Sequence, residues 1–491
     1  MGQLTGRLRV LSDEEMERIH RGALHILQKV GMWVDCGEAL TSLAALGCQV
    51  HQETRRVWFP ENVVQDCVER MRRQYASRTE PVEMPHRYGK VAFTSQPLGI
   101  RQDFTVSAGG FPPFIYDLEG VRRRATLQDV RDSLRLADAL DEIDFLGLPC
   151  SAQEIPHQLR PVLMTAELVK HTDKLGGIEA WTVDGVDAIY EMAVVVRGSE
   201  EELRRRPVLV GYSEARSPLC LDRNMAEMFI AYIKKGLPQT LDTMPVAGTT
   251  APATIAGTLV LGFAESLAGL VLAYSIDPEA CVRVDVTPTL ADMRTGLSPM
   301  AGPDRLIMLV GAAQMLSEYY GCLGGLHGGK TDACVPGEQA GMEKALSLLL
   351  PVLAGAPAVG TVGQLENLLT FSPLQLVIDA EIARSLRRVV AGFDVTEEAL
   401  ALDVIAEVGP GGSFIDHPHT ATVFRREFFL SNLLERSNWE GFFQQELRGL
   451  EERARERARE VLRTHHPDPL SAEQKHEIDR IVRQFTGHLQ R

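Results

Sequence analysis

"GGLHGGKT", residues 324–331, fits the pattern Gly-x-x-x-x-Gly-Lys-Thr, and its reading decides the fold. In a phosphate-binding P-loop, backbone N–H groups wrap the phosphates and a helix begins at the Lys-Thr end. Here "DACVPGEQAG" follows Thr331, so Pro336 stands where that helix would already be running. Proline inside a helix costs about 3 kcal/mol. Pro336 instead suits the first turn of a later helix led by Glu338 and Gln339. A P-loop also needs an acidic strand end for magnesium, and "LVIDAE" (376–381) is the candidate. Ser372-Pro373 caps a helix there, with Leu376, Ile378, Ile382 and Leu386 along one face, so Asp379 belongs to a helix. The stretch therefore reads as a glycine-rich strand-to-helix loop, and a nucleotide hydrolase is disfavoured.

Outward from that loop the chain alternates short apolar runs with helical patterns. The runs are 143–149, 174–181, 207–213, 239–245, 281–288, 321–329 and 357–363, each preceded by a helix, and a further helix spans 372–390. Repeated strand–helix units imply parallel strands with right-handed crossovers. Seven units, with one more strand within 92–118, predict an α/β fold, an eight-stranded (β/α)8 barrel. No Gly-x-Gly-x-x-Gly follows the first strand, which argues against dinucleotide binding. Residues 1–90 read as an N-terminal helical cap, opened by Ser12 ahead of Asp13, Glu14 and Glu15. The barrel takes 91–440. Residues 441–491, with "EERARERARE", form a C-terminal extension of charged helices.

The 491 residues carry a net charge of −15, which excludes a general nucleic-acid binder. No signal peptide is read at the N-terminus, and the longest apolar stretches are broken by Gly, Glu or Pro, so no membrane span is expected. Eight cysteines are scattered without a Cys-x-x-Cys pair. That predicts a reducing cytoplasm and no structural metal site.

Barrel strands end at one mouth. Those ends offer Gln153 and Glu154, Glu179 and Trp181, Tyr212 and Glu214, Asp242 and Met244, Asp285, His327 with Lys330 and Asp332, and Gln364 with Glu366. Acidic groups with aromatic faces suit an organic cation, by charge and by cation–π attraction. His327, between glycines, reads as a ligand-facing histidine as readily as a core one. Cys334 has no local histidine to make it a nucleophile. His417 and His419 lack a third ligand for a metal.

Several blocks are similar to the trimethylamine methyltransferase family. They are "LSDEEMERIHRGALHILQKVGMWVD", "PVAGTTAPATIAGTLVLGFAESLAGLVLA", "GGKTDACVPGEQAGMEKALSLLLPVLAGA" and "SPLQLVIDAEIARSLRRVVAGFDVTEEAL". The resemblance runs in order along nearly the whole chain. It implies a TIM barrel that moves a methyl group from a methylamine or quaternary amine to the cobalt of a separate corrinoid protein. No cofactor would then be tightly bound to this chain. Archaeal trimethylamine enzymes of the family carry pyrrolysine, and this chain resembles members without it, some of which demethylate glycine betaine. Glycine betaine or a related betaine is therefore the expected substrate. A methylamine-type substrate of the kind used in methanogenesis, or a non-catalytic betaine-binding role, is the alternative. Where the family commonly has Lys and Asp, this chain has Cys334 and Glu338. Candidate substrate-binding residues are His327, Lys330, Asp332, Tyr212, Glu214, Glu179, Trp181, Gln364 and Glu366, with His327 or Lys330 taking a betaine carboxylate. A homo-oligomer is expected.

Overall fold

The computed structural model describes residues 7–77, 81–83, 90–92, 104–174, 176, 180–205, 207–322, 325–444 and 449–489. Helix Asp13–Lys29 opens with a complete capping box, in which Ser12 Oγ accepts from the Glu15 N–H and the Glu15 carboxylate accepts from the Ser12 N–H. Met16, Ile19, Ala23, Leu24 and Leu27 recur at helical spacing and are buried. A strand Met32–Val34, a helix Gly37–Leu46, a hairpin Gln49–His51/Arg56–Trp58 and helix Glu61–Ser77 follow. The first of these strands was absent from the sequence reading. It pairs in parallel with Cys220–Leu221, far along the chain.

Seven short strands then alternate with helices: β1 Thr105–Ala108, β2 Phe145–Leu146, β3 Gly211–Ala215, β4 Gln239–Thr243, β5 Val282–Arg283, β6 Gly325–Leu326 and β7 Ala358–Val362. Each falls within an expected run except β3, which extends two residues beyond its own. Two parallel arcs result, β3–β4–β5 and β6–β7–β1–β2, so the last strand pairs with the first. Beside β2, the Leu146 N–H donates to Lys174 O at 2.7 Å. That contact is where the 174–181 run was expected, although residues 175 and 177–179 of it lie outside the described residues. All five residues of β4 are buried, the pattern of a strand covered on both faces. The fold is thus mixed α/β with parallel strands.

Helix Ile255–Ile276 corrects the expectation that no segment has the makings of a membrane span. By length and composition it does, with 22 residues and a strongly apolar sequence. In the fold it lies in the core beneath the N-terminal helices, sharing one apolar cluster with Leu24, Leu27 and Leu40. Its Glu265 is fully buried. A buried carboxyl needs partners, and it accepts from Ser217 Oγ and the Leu219 N–H, each at 2.7 Å.

The charged C-terminal helices are amphipathic. Helix Leu450–Thr464 buries Ala454, Ala458 and Val461, and helix Ala472–Leu489 buries Ile478, Ile481 and Phe485, all in the same cluster as β1 and β2. The charged side chains face outward, as the alternating Glu and Arg pattern required.

Candidate active site

The strands end in one cavity of about 520 Å³. Period-2 alternation puts Tyr212 and Glu214 of β3, Thr240 and Asp242 of β4, and Arg283, Asp285 and Thr287 of β5 and its loop on its wall. His327 and Lys330 enter from the glycine-rich loop, and Phe111, Phe145, Leu148 and Met244 complete an apolar side.

Asp242 is the centre of the polar wall. Its carboxyl accepts from Thr287 Oγ1 at 3.1 Å and the Thr243 N–H at 2.8 Å, and lies 3.2 Å from Tyr212 Oη. Tyr212 Oη donates to Glu214. Burial, then the neighbouring Asp285 and Glu214, push the Asp242 carboxyl up to about 8. Asp285 is raised by burial and held by Arg283, whose guanidinium lies 2.9 Å away. His327 Nε2 sits 3.7 Å from Asp242, and 34% of the ring is bare. Burial, with Lys330, Arg305 and Arg283 nearby, keeps the imidazole neutral, far below its usual range. Burial and Arg305 push Lys330 down to about 7, against the pull of Asp242 and Glu214. Three carboxyl groups, one ammonium, one guanidinium and one imidazole thus line one small cavity.

The other sequence candidates lie around this wall. Gln364 is buried, its amide N–H₂ donating to Gly109 O behind the cavity-lining Gly109–Gly110 turn. Glu366 pairs with Arg122 at 2.7 Å and accepts from Thr370 Oγ1. Its neighbour Leu368, at φ 73°, is the residue of that turn that reaches the cavity. Asp332 accepts from the Met300 and Ala301 N–H groups and braces that loop. Trp181 stacks on His157, with centroids 4.0 Å apart, away from the wall. Glu154 accepts from the Leu127 N–H at 2.6 Å at a helix start, and Glu179 lies outside the described residues. Cys334 is exposed, and the rings of His417 and His419 are 6.4 Å apart at a helix start. Sequence reasoning missed Arg283 and Thr287, although both share the face of Asp285 in "VRVDVT". It also missed Phe111 and Phe145, which no sequence signal marks.

The glycine-rich loop is no P-loop. The helix after it begins at Glu338, beyond Pro336, and Thr331 Oγ1 donates to Glu343 at 2.5 Å. Asp379 sits on helix Pro373–Val390, ion-paired with the buried Lys344 at 2.6 Å. Lys344 donates to Gly329 O at 2.8 Å, and Asp379 accepts from the Gly363 N–H at 2.6 Å. That pair ties the loop carrying His327 and Lys330 to the loop after β7.

Fold and cavity together define an α/β protein whose strand ends hold a mixed-charge pocket for a small organic ligand. Residues 3–487 match the model of the trimethylamine methyltransferase family. Glycine betaine methyltransferase of Desulfitobacterium hafniense (strain Y51) is 30% identical over 476 residues, 96% of each chain. Trimethylamine methyltransferase of Methanosarcina barkeri is 30% identical over 493 residues, 97% of this chain and 94% of that protein. The solved monomethylamine methyltransferase of Methanosarcina barkeri has a TM-score of 0.47 at 14% identity, over 94% of this chain and 95% of that one. The chain belongs to the trimethylamine methyltransferase family. It is an enzyme that transfers methyl groups.

Proposed function

We propose that this chain moves a methyl group from a betaine, a zwitterionic quaternary amine, to Co(I) of a separate corrinoid protein. One observation carries the reading: Lys330 faces the same cavity as Glu214 and Asp242. A purely cationic amine has no use for a buried ammonium. A betaine does, because its carboxylate replaces the solvation that Lys330 lost on burial. Among the described residues the Lys330 ammonium has no hydrogen bond or ion pair, and a bound carboxylate would raise its pKa from about 7. The neutral His327 can donate a second hydrogen bond. Glu214, Asp242 and the Tyr212 ring take the trimethylammonium pole.

A quaternary ammonium already carries a neutral amine as its leaving group, so no side chain has to deliver a proton. Co(I) supplies a strong nucleophile. The residues of this chain supply alignment and a dry wall. Met244 of the cavity wall, with the exposed Met293, Leu297, Val335 and Met342 on the segments that follow β5 and β6, suits an apolar docking face for the corrinoid protein. The same reading takes the parallel arcs as a closed (β/α)8 barrel over 91–440, supported by the pairing of β7 with β1. It keeps 1–90 as cap and 441–491 as extension, and places the enzyme in the cytoplasm, supported by eight free cysteines.

The test mixes the enzyme, a Co(I) corrinoid protein and candidate amines. We expect the Co(I) absorbance to decay with betaine. Lys330→Met should weaken betaine binding about 10- to 100-fold, in line with a charge-assisted hydrogen bond, and leave tetramethylammonium binding nearly unchanged. Decay with trimethylamine alone, or binding without decay, would replace this reading with one of its alternatives.

A further inference from the structure

Four consecutive carbonyls of the glycine-rich loop are each held by a buried side chain. His327 O accepts from Arg305 Nη2 at 3.1 Å, Gly328 O from Thr361 Oγ1 at 2.7 Å, Gly329 O from Lys344 Nζ at 2.8 Å and Lys330 O from Ser347 Oγ at 3.2 Å. Gly328 packs so closely on the next helix that a Cβ there would run into Ser347 O. The loop that brings His327 and Lys330 to the cavity is therefore fixed along its main chain.

Arg305 differs from the other buried cations nearby. Lys344 is neutralised by Asp379, and Arg283 of the cavity wall by Asp285. Arg305 is fully buried, yet among the described residues it has no ion pair. Its other contact is Met300 O at 2.6 Å, and its Nε has no hydrogen-bond partner among the described residues. It also lies in the first turn of helix Pro303–Gln314, the end at which the helix dipole disfavours a cation. A buried charge without a counter-charge is costly, and burial pushes this guanidinium down to about 10. Asp332 is the carboxylate that acts on it, but the oxygens of Asp332 accept from the Met300 and Ala301 N–H groups. Lys330, which lines the cavity where Arg305 does not, is unpaired as well, and the two cations feel each other. Building on the betaine reading above, we propose that Arg305 is a positioning residue for the substrate carboxylate: it fixes His327 and, with Lys330, supplies positive charge that a ligand anion completes. It acts through His327 and Lys330 and touches no reacting atom. A purely cationic amine gains nothing from it.

Titration calorimetry on the full-length wild type, Arg305→Lys and Arg305→Met tests this with three ligands. They are glycine betaine, tetramethylammonium and 3,3-dimethylbutanoate, which keeps the shape and carboxylate of glycine betaine without its positive charge. Arg305→Met should weaken both carboxylates about 10- to 100-fold. Arg305→Lys keeps the charge but not the fork that bridges two carbonyls, and should weaken them about 3- to 10-fold. Tetramethylammonium should stay within about twofold of the wild type in both. In Arg305→Met, carboxylate binding should also persist to higher pH. Lys330 there loses a cation that pushes it down, while Asp242, Glu214 and His327 still face it. A structural role alone would weaken all three ligands alike and leave the pH profiles parallel, and that result overturns the inference. If Arg305→Met does not fold, the ratio of carboxylate to tetramethylammonium affinity in Arg305→Lys decides. A wild type that binds 3,3-dimethylbutanoate but not glycine betaine sinks the betaine reading and leaves the role of Arg305 standing; one that binds neither carboxylate ends both.

Discussion

Asp242 shows how one position acquires a property its residue type lacks. An aspartate in water titrates near 3.9, and burial beside Asp285 and Glu214 moves this one to about 8. The sign follows from linkage. Between about pH 4 and 8 the folded chain holds a proton that the unfolded chain has released, so stability from this group falls as pH rises through that window. Asp242→Asn removes the dependence. We expect the urea midpoint of the wild type to drop relative to the variant from pH 5 to 8, and tetramethylammonium to bind the wild type more tightly as pH approaches 8. Parallel pH profiles for the two proteins would refute the assignment. Beside it, Tyr212 and Glu214 were legible from alternation alone. The proton was not, because it depends on two other strands.

Among the elements, helices Glu338–Leu353 and Pro373–Val390 do more than cover strands. Through Lys344 and Asp379 they hold the carbonyl of Gly329 and the N–H of Gly363. Both side chains are fully buried. Removing one partner strands the other charge, at a cost of about 3–5 kcal/mol, whereas replacing both with apolar groups costs much less. Lys344→Met should therefore lose stability on that scale in urea unfolding, and Lys344→Met/Asp379→Leu should regain most of it. A double variant as unstable as the single one would mean that the loop anchoring, not the stranded charge, dominates. The helix boundaries themselves were readable. Ser12 and Ser372 cap the helices they were expected to cap, since capping is decided within four residues. The lysine–aspartate pair spans 35 residues and left no local trace.

At the scale of the molecule, the charged C-terminal helices complete the main core. Leu450–Thr464 and Ala472–Leu489 place six apolar side chains in it, worth on the order of 10 kcal/mol together. That approaches the whole stability of an ordinary domain. We expect a chain ending at 448 to lose its cooperative thermal transition by circular dichroism; a sharply melting, soluble fragment would show these helices to be dispensable.

By itself the sequence determined the order of the strand–helix units after residue 92, the rejection of a phosphate loop and the residue types at the strand ends. Each of these rests on interactions within a few residues, where spacing and backbone geometry decide. Only the tertiary structure decided which strand ends share one cavity, so that Glu366 and Trp181 found partners elsewhere while Arg283 and Thr287 joined the wall. It also decided the fate of helix Ile255–Ile276, apolar enough for a bilayer but spent on the core. The reason is physical. Desolvation and charge–charge coupling depend on distance through space, and residues 212, 242, 285 and 330 become neighbours only when parallel strands bring their ends together.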